Sequence, residues 1–126
     1  MEESGDRPFF SCNNCRNPIA LRVDLISKNY IAKSGQAYMF SHAMNVVLGS
    51  TVDRQMITGQ FSVADVYCSK CKETLGWMYV KAYEQKQMYK EGKFILEKMK
   101  ILKDFEKLLM SIQGLLLKRI ASVIPE

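Results

Sequence analysis

The chain has 126 residues, of which 48% are apolar and 25% are charged, a mix that indicates one globular domain and excludes disorder throughout. Its 18 basic and 13 acidic residues give a formal net charge of +5. The lysines are interleaved with acids and the few arginines are scattered, so the sequence favours a solvated surface over a nucleic-acid groove. No apolar run approaches the roughly 18 residues that a membrane-spanning helix needs.

The N-terminal residues 1–8 are mostly polar and include acidic side chains. A secretory signal peptide instead combines a basic start with an apolar stretch. We therefore expect a flexible N-terminus at residues 1–8 and a protein that is not secreted.

All four cysteines lie in two C-x2-C pairs, Cys12 with Cys15 and Cys68 with Cys71, which a long insert separates. Two thiolates three positions apart on a tight turn can bind one metal ion. Two such turns complete a tetrahedral sulfur shell, which suits zinc at about 2.3 Å per bond. The shell has no open position, so we expect the metal to hold the fold rather than to perform chemistry.

Other uses of the four cysteines are less consistent with the sequence. Disulfides need an oxidising compartment, and the N-terminus offers no route to one. A redox C-x2-C occurs once and near a βαβ pattern, whereas here the motif occurs twice without one. An iron–sulfur centre also takes four cysteines and stays open on residue type alone. Spacing and ligand type favour one structural zinc.

The segment between and after the cysteine pairs has the alternation of β-strands. In chain order we predict a strand or loop at Ile19–Ile26, a strand at Tyr38–Val47, a strand at Phe61–Tyr67, a strand at Leu75–Tyr83, a helical turn at Gln85–Lys90 and a strand at Lys93–Glu97. In the strand predicted at Leu75–Tyr83, one side is expected to carry Leu75, Trp77, Tyr79 and Tyr83.

From residue 99 the apolar period becomes helical, with a stripe at three-to-four spacing that runs from Ile101 to Val123. Gly114 weakens this helix by about 1 kcal/mol relative to alanine, and Pro125 ends it. We predict an amphipathic α-helix in residues 99–126. Its stripe needs a partner surface, which is the same domain, a second copy bound through residues 99–123, or another protein.

These residues resemble the Yippee family from Phe10 to about Lys98. The motifs are Phe10-Ser11-Cys12 with Cys15, Leu25-Ile26-Ser27-Lys28, Gly35-Gln36-Ala37-Tyr38-Met39-Phe40, Asn45-Val46, Thr58-Gly59, Val63-Ala64-Asp65-Val66-Tyr67-Cys68, Cys71-Lys72-Glu73-Thr74-Leu75-Gly76-Trp77 and Tyr89-Lys90-Glu91-Gly92-Lys93-Phe94-Ile95.

The resemblance implies a mainly β fold, a zinc-stapled β-tent of two antiparallel sheets over residues 9–98, to which this chain adds the C-terminal helix. It also implies a protein of the nucleus or cytoplasm that is linked to cell division, growth control and a multisubunit ubiquitin ligase. No enzyme activity is established for the family, so we expect a non-enzymatic interaction or regulatory module with a protein partner.

The wider β-tent group includes the thalidomide-binding domain of cereblon, whose ligand pocket is a cage of three tryptophans. Here Trp77 and Tyr79 resemble the segment that supplies one cage tryptophan and a neighbouring aromatic. The alternative function is therefore a reader of a small ligand or modified residue, in a pocket that Tyr38 or Phe40 would join. Aromatics at period two on a strand are, however, more often core than cage.

An enzyme is the least favoured class. His42 is the only histidine, and the cysteines that it could activate are metal ligands. No Gly-x-Ser-x-Gly elbow frames a serine. We expect His42 to be structural or at the surface.

Overall fold

The computed structural model describes residues 8–103, and within them the chain forms nine β-strands. The strands are β1 (Phe9–Cys12), β2 (Pro18–Leu21), β3 (Leu25–Ala32), β4 (Gly35–Phe40), β5 (Val46–Met56), β6 (Gly59–Cys68), β7 (Thr74–Ala82), β8 (Phe94–Glu97) and β9 (Ile101–Lys103). Short 3-10 turns occur at Arg22–Asp24, Gln85–Lys90 and Lys98–Lys100. None of the described helical segments has the length and hydropathy that a bilayer crossing requires.

The strands form two antiparallel sheets. The small sheet has the order β2-β1-β9, and the large sheet has the order β3-β4-β8-β7-β6-β5. The predicted mainly β architecture of two antiparallel sheets is therefore confirmed. The strand predicted at Phe61–Tyr67 lies within β6, and the predicted turn at Gln85–Lys90 is the 3-10 turn that precedes β8.

Side chains alternate between the two faces of the large sheet, as the period of a strand requires. One face packs against the small sheet and forms what we call the inner core. Its buried members are Phe10, Cys12, Ile19, Ala20, Tyr38, Phe40, Val66, Cys68, Leu75, Leu96 and Ile101. Phe10 of the small sheet meets Phe40 edge to face, with ring centroids 5.1 Å apart, so aromatic packing joins the two sheets.

The opposite face of the large sheet, here called the outer face, carries a second apolar cluster. Its buried members are Ala32, Ala37, Met39, Phe61, Val63, Tyr79, Ala82 and Ile95, with Tyr30, Met56 and Trp77 packed against them. The sheet is thus apolar on both faces, and the metal-binding cysteines lie only on the inner one.

The prediction that Leu75 and Trp77 share a side is wrong. Leu75 is in the inner core, whereas Trp77 packs with the outer cluster. The pairing of β6 with β7 shifts register between Val66 and Tyr67, which face Gly76 and Thr74, so Leu75 is an extra residue on β7. This bulge inverts the alternation.

Gly76, beside the bulge, occupies a place with no room for a side chain. A Cβ atom there would come within 1.8 Å of the Ile95 carbonyl oxygen on β8. The close approach of β7 and β8 explains why this position needs glycine.

The strand predicted across Tyr38–Val47 is interrupted. β4 ends at Phe40 and β5 begins at Val46. Between them Asn45 has a φ of 58°, a left-handed conformation that no strand accommodates and that asparagine tolerates better than most residues.

The predicted C-terminal helix is wrong where the structure describes it. Lys98–Lys100 is a 3-10 turn, and Ile101–Lys103 is the strand β9, which pairs with β1 from Phe10 to Cys12. Burial of the Ile101 side chain and hydrogen bonding to β1, on the side of β1 opposite β2, stabilise this strand relative to a helix. Residues 104–126 lie outside the described residues, as do residues 1–7, so the rest of the predicted helix and its self-association stay predictions.

Candidate metal centre

The two C-x2-C turns come together at one end of the inner core. The four Sγ atoms of Cys12, Cys15, Cys68 and Cys71 all lie within 4.8 Å of one another. The Cys12 and Cys71 sulfurs are 3.6 Å apart, and those of Cys15 and Cys68 are 3.5 Å apart. A tetrahedral zinc site with bonds of about 2.3 Å places its sulfurs about 3.8 Å apart. A disulfide needs about 2.05 Å, so the donor set fits a metal rather than two disulfides.

Both turns have the same backbone geometry. In each turn, the backbone N–H of the first cysteine donates to the backbone carbonyl of the fifth residue after it. The backbone N–H of the residue after the second cysteine donates to the backbone carbonyl of the first cysteine. All four hydrogen bonds measure 2.8–2.9 Å. The residue after the second cysteine is Arg16 in one turn and Lys72 in the other, with φ of 69° and 66°. The left-handed residue reverses the chain after each pair of ligands, so both thiols of a pair can reach one ion.

The thiols differ in how readily they ionise. Burial is the main reason that the pKa of Cys12 rises to about 12. Burial acts the same way on Cys68, but the backbone N–H of Cys71 and the side chain of Asn17 outweigh it and lower the pKa of Cys68 to about 6. Zinc binds thiolates. The second turn therefore presents a ligand that is ionised near neutral pH, and metal binding must displace the proton from Cys12.

Asn17 connects the two turns. Its side chain is buried, and the amide nitrogen lies 3.2 Å from the Asn45 carbonyl oxygen, 3.4 Å from the Cys68 sulfur and 3.4 Å from the Ser69 hydroxyl. A residue next to the first pair of ligands thus supports a ligand of the second. Such contacts orient metal ligands and increase metal affinity.

Asn45 completes this connection from the loop between β4 and β5. Its side-chain amide donates to the Pro18 backbone carbonyl at 2.7 Å, and its backbone carbonyl accepts from the Ser69 N–H at 2.9 Å. Neither Asn17 nor Asn45 belongs to a sequence pattern that predicts a role at the metal site. For Asn45, the sequence feature that could have indicated a special backbone position is an asparagine within an alternating apolar run.

The Lys98–Lys100 turn also joins the two ligand pairs. The Lys100 carbonyl accepts from the Asn13 N–H at 2.9 Å, and the Lys100 ammonium donates to the Glu73 carboxylate at 2.6 Å. Hydrogen bonding to Glu73 raises the pKa of Lys100. The segment predicted to start a separate helix therefore belongs to the surroundings of the metal site.

His42 lies at the surface, as predicted, in a cluster with Ser41 and Asp24. Its Nδ1 atom is 3.0 Å from the Ser41 hydroxyl and 3.7 Å from the Asp24 carboxylate. In a Ser-His-Asp triad the serine and the aspartate contact different ring nitrogens. Here both contacts fall on one nitrogen, so the cluster lacks the geometry of a triad.

A cleft of about 890 Å³ lies on the outer face, on the opposite side of the large sheet from the cysteines. Trp77 and Tyr79 line it, with their rings 6.2 Å apart and nearly perpendicular. Tyr38 and Phe40, which were predicted to join such a pocket, belong to the inner core, where both contact Phe10. Strand alternation separates the two pairs, so the cleft contains only half of the predicted aromatic set.

Comparison with known proteins agrees with the fold and the metal site. Residues 9–104 match a family model described as Yippee zinc-binding/DNA-binding /Mis18, centromere assembly. The crystal structure of a Mis18 "Yippee-like" domain superposes with a TM-score of 0.62 at 14% identity, over 77% of this chain and 94% of that one.

Relatives with higher identity include a yippee-like protein of Arabidopsis thaliana, 57% identical over 78% of this chain and 93% of its own length. A yippee-like protein of Caenorhabditis elegans is 46% identical over 80% of this chain and 73% of its own. Human yippee-like protein 3 is 45% identical over 75% of this chain and 80% of its own. None of these names denotes an enzyme. With the clustered thiols, these matches confirm the prediction of one zinc site at Cys12, Cys15, Cys68 and Cys71.

Proposed function

Because the chain belongs to the Yippee family, we propose that it acts as a non-enzymatic protein-interaction or regulatory module that a structural zinc holds together. The pathways that the family suggests are a ubiquitin-ligase assembly and the control of growth or cell division, in the nucleus or cytoplasm. The observation that carries the proposal is the closed set of four thiols, which leaves no coordination position for a substrate.

The exposed edge of the large sheet supports a protein partner. β5 is an edge strand of 11 residues, and its side chains Val47, Leu48 and Val52 are exposed. Residues 46–52 of this strand carry no charge, and uncharged edges with exposed apolar side chains pair with strands of other proteins. The lysines and acids of the chain are mixed, which favours a protein over a nucleic acid as the partner.

The test is recovery of partners from native extract with the zinc-loaded full chain and two matched variants. Val52→Lys places a charge on the β5 edge, and Ile31→Lys places one on β3, the opposite edge strand, where the side chain is also exposed. We expect Val52→Lys to lose proteins that wild type and Ile31→Lys both retain. Recovery of the bait alone at every salt concentration would contradict the interaction module.

A second candidate function is small-ligand binding in the outer cleft. The supporting observation is the position of Trp77, the single tryptophan, on the wall of a cleft of about 890 Å³. Cavities of this size with aromatic walls are typical ligand sites. A ligand there would change the fluorescence of Trp77, and a flat titration across anionic, neutral and cationic probes would contradict this function.

A further inference from the structure

The outer cleft contains a lysine that is almost completely buried. Lys90, the last residue of the 3-10 turn before β8, has only 2% of its surface exposed and lines the cleft. Four aromatic rings surround its ammonium, those of Tyr30, Phe61, Tyr79 and Tyr89, with centroid distances of 5.1–5.8 Å. The aromatic cage of this protein therefore already holds a cation, which belongs to the chain itself.

The Lys90 ammonium has more donors than the described part of the chain satisfies. It carries three N–H groups, and one hydrogen bond is formed, to the Thr58 hydroxyl at 3.2 Å. No carboxylate among residues 8–103 forms a salt bridge with it, in contrast to Lys100, which pairs with Glu73. Buried lysines are rarely left without a counter-charge.

The acids that line the same cleft are engaged elsewhere. Asp65 lies 3.7 Å from Arg54, and Glu97 accepts a hydrogen bond of 2.5 Å from Ser34. Neither acid forms a salt bridge with Lys90. The cleft lining holds three basic residues, Lys33, Arg54 and Lys90, against these two acids, so it carries a formal surplus of one positive charge beside aromatic walls.

A second buried donor in the cleft also lacks a partner. The Trp77 indole nitrogen is inaccessible to solvent and forms no hydrogen bond with the described residues. Burial raises the pKa of Tyr79 and the nearby Trp77 indole opposes that rise, but the contact between the two side chains falls short of a hydrogen bond. An indole N–H can only donate, so a ligand that satisfies it must bring an acceptor.

We propose that the outer cleft binds a small organic carboxylate with a flat apolar group, whose carboxylate accepts from the Lys90 ammonium and from the Trp77 indole N–H, and whose apolar part lies against the rings of Trp77 and Tyr79. The proposal rests on the second candidate function and adds the ligand's chemistry. It excludes cationic ligands such as alkylammonium groups, because Lys90 occupies the cage that would hold them and repels a second cation. Tyr89, the most exposed of the four cage residues, lines the cleft together with Lys90.

Three probes of matched shape test the charge preference: phenylacetate, phenylacetamide and phenethylamine. Each is titrated into the zinc-loaded full chain while Trp77 fluorescence and calorimetric heat are recorded. We expect phenylacetate to bind at least about ten times more tightly than phenylacetamide, and phenethylamine not to bind. The affinity for phenylacetate should fall as the salt concentration increases.

Lys90→Met removes the charge and keeps a long apolar side chain. It should weaken phenylacetate about tenfold or more and abolish its advantage over phenylacetamide. Lys86→Met, on the exposed side of the same turn, is the matched control and should bind as wild type does. Thermal unfolding and zinc content establish that both variants are folded, and if Lys90→Met is unfolded, the probe ranking in wild type decides.

The outcomes distinguish a preference for carboxylates from ligand binding in the cleft as such. Equal binding of phenylacetate and phenylacetamide, or tight binding of phenethylamine, would overturn the carboxylate proposal and leave ligand binding in the cleft intact. A wild-type chain that binds none of the three probes would overturn both.

Discussion

Removing the Asn17 side chain tests whether the surroundings of the metal site set its affinity. The Asn17→Ala variant loses the contacts of one buried amide with the Cys68 sulfur, the Ser69 hydroxyl and the Asn45 carbonyl. A hydrogen bond to a charged group contributes about 1.5–3 kcal/mol, and the thiolate is the charged partner here. We therefore expect about 2–3 kcal/mol of destabilisation. Groups that support metal ligands typically contribute about 10–100-fold to metal affinity.

In the assay, a chelator competes with the protein for zinc. A zinc-sensitive fluorescent indicator and thermal unfolding monitor how much zinc the protein has lost. The Asn17→Ala variant should release zinc at a chelator concentration about 10–100 times lower than wild type requires. Asn17→Asp should release it more readily still, because a carboxylate beside the Cys68 thiolate adds repulsion to the lost hydrogen bond.

The matched control is Asn29→Ala, at an exposed asparagine on β3. It should stay within about 0.5 kcal/mol of wild type and keep its zinc. If Asn17→Ala holds zinc as strongly as wild type and as Asn29→Ala, the bridge between the two turns contributes nothing and the reasoning is refuted.

Four further predictions concern the metal, the strand contacts and one surface carboxylate. Cys68→Ser should unfold the domain, since zinc binding and folding are coupled, and circular dichroism with metal analysis would detect this. Gly76→Ala should cost about 3 kcal/mol or more in denaturant unfolding, because the new methyl group would collide with the backbone of β8. Ile101→Ala should cost about 2–5 kcal/mol in the same assay, since Ile101 is buried in the inner core. Hydrogen bonds from Ser62 and Tyr83 lower the pKa of Asp53, so its stabilising effect is complete above the unfolded-state pKa and is lost as pH falls through the folded one. Ser62→Ala should raise the pKa of Asp53 in an NMR titration.

Each of these predictions has an outcome that would contradict it. A folded, zinc-bound Cys68→Ser protein would mean that three thiolates suffice. Wild-type stability of Gly76→Ala would mean that β8 can move away from β7. Ile31→Ala, at an exposed β3 position, is the control for Ile101→Ala, and equal effects of the two would remove β9 from the core. An unchanged pKa of Asp53 in Ser62→Ala would assign the lowering to Tyr83 and Lys81.

The parts of the fold that depend on local pattern were predictable from the sequence. The spacing of the cysteines identifies the zinc ligands, because two thiols three residues apart on a turn face the same ion. Alternation places β6 correctly, because one strand period determines which side chains are buried. The short turn before β8 was also visible in its composition.

The parts that depend on distant partners were not predictable. The apolar residues from Ile101 onward fit a helical period, yet β9 forms because the edge of β1, at the other end of the chain, is free to pair with it. The extra residue at Leu75 moves Trp77 to the outer face, and a bulge leaves no mark on hydrophobic periodicity. The burial of Lys90 was equally hidden, since its neighbours in sequence suggest a solvated turn.

The pairing of β1 with β9 also determines how the domain would respond to a pulling force. The first and last described strands are antiparallel neighbours, so Phe10 lies opposite Lys103. Tension applied outward from these two strands would open the ladder one residue pair at a time, as a zipper opens, rather than shear all its hydrogen bonds at once. After Ser11 separates from Leu102, the next residue on β1 is Cys12, a zinc ligand. The metal would therefore stop the opening at Cys12, because a metal–thiolate bond resists force more strongly than the hydrogen bonds of a strand pair.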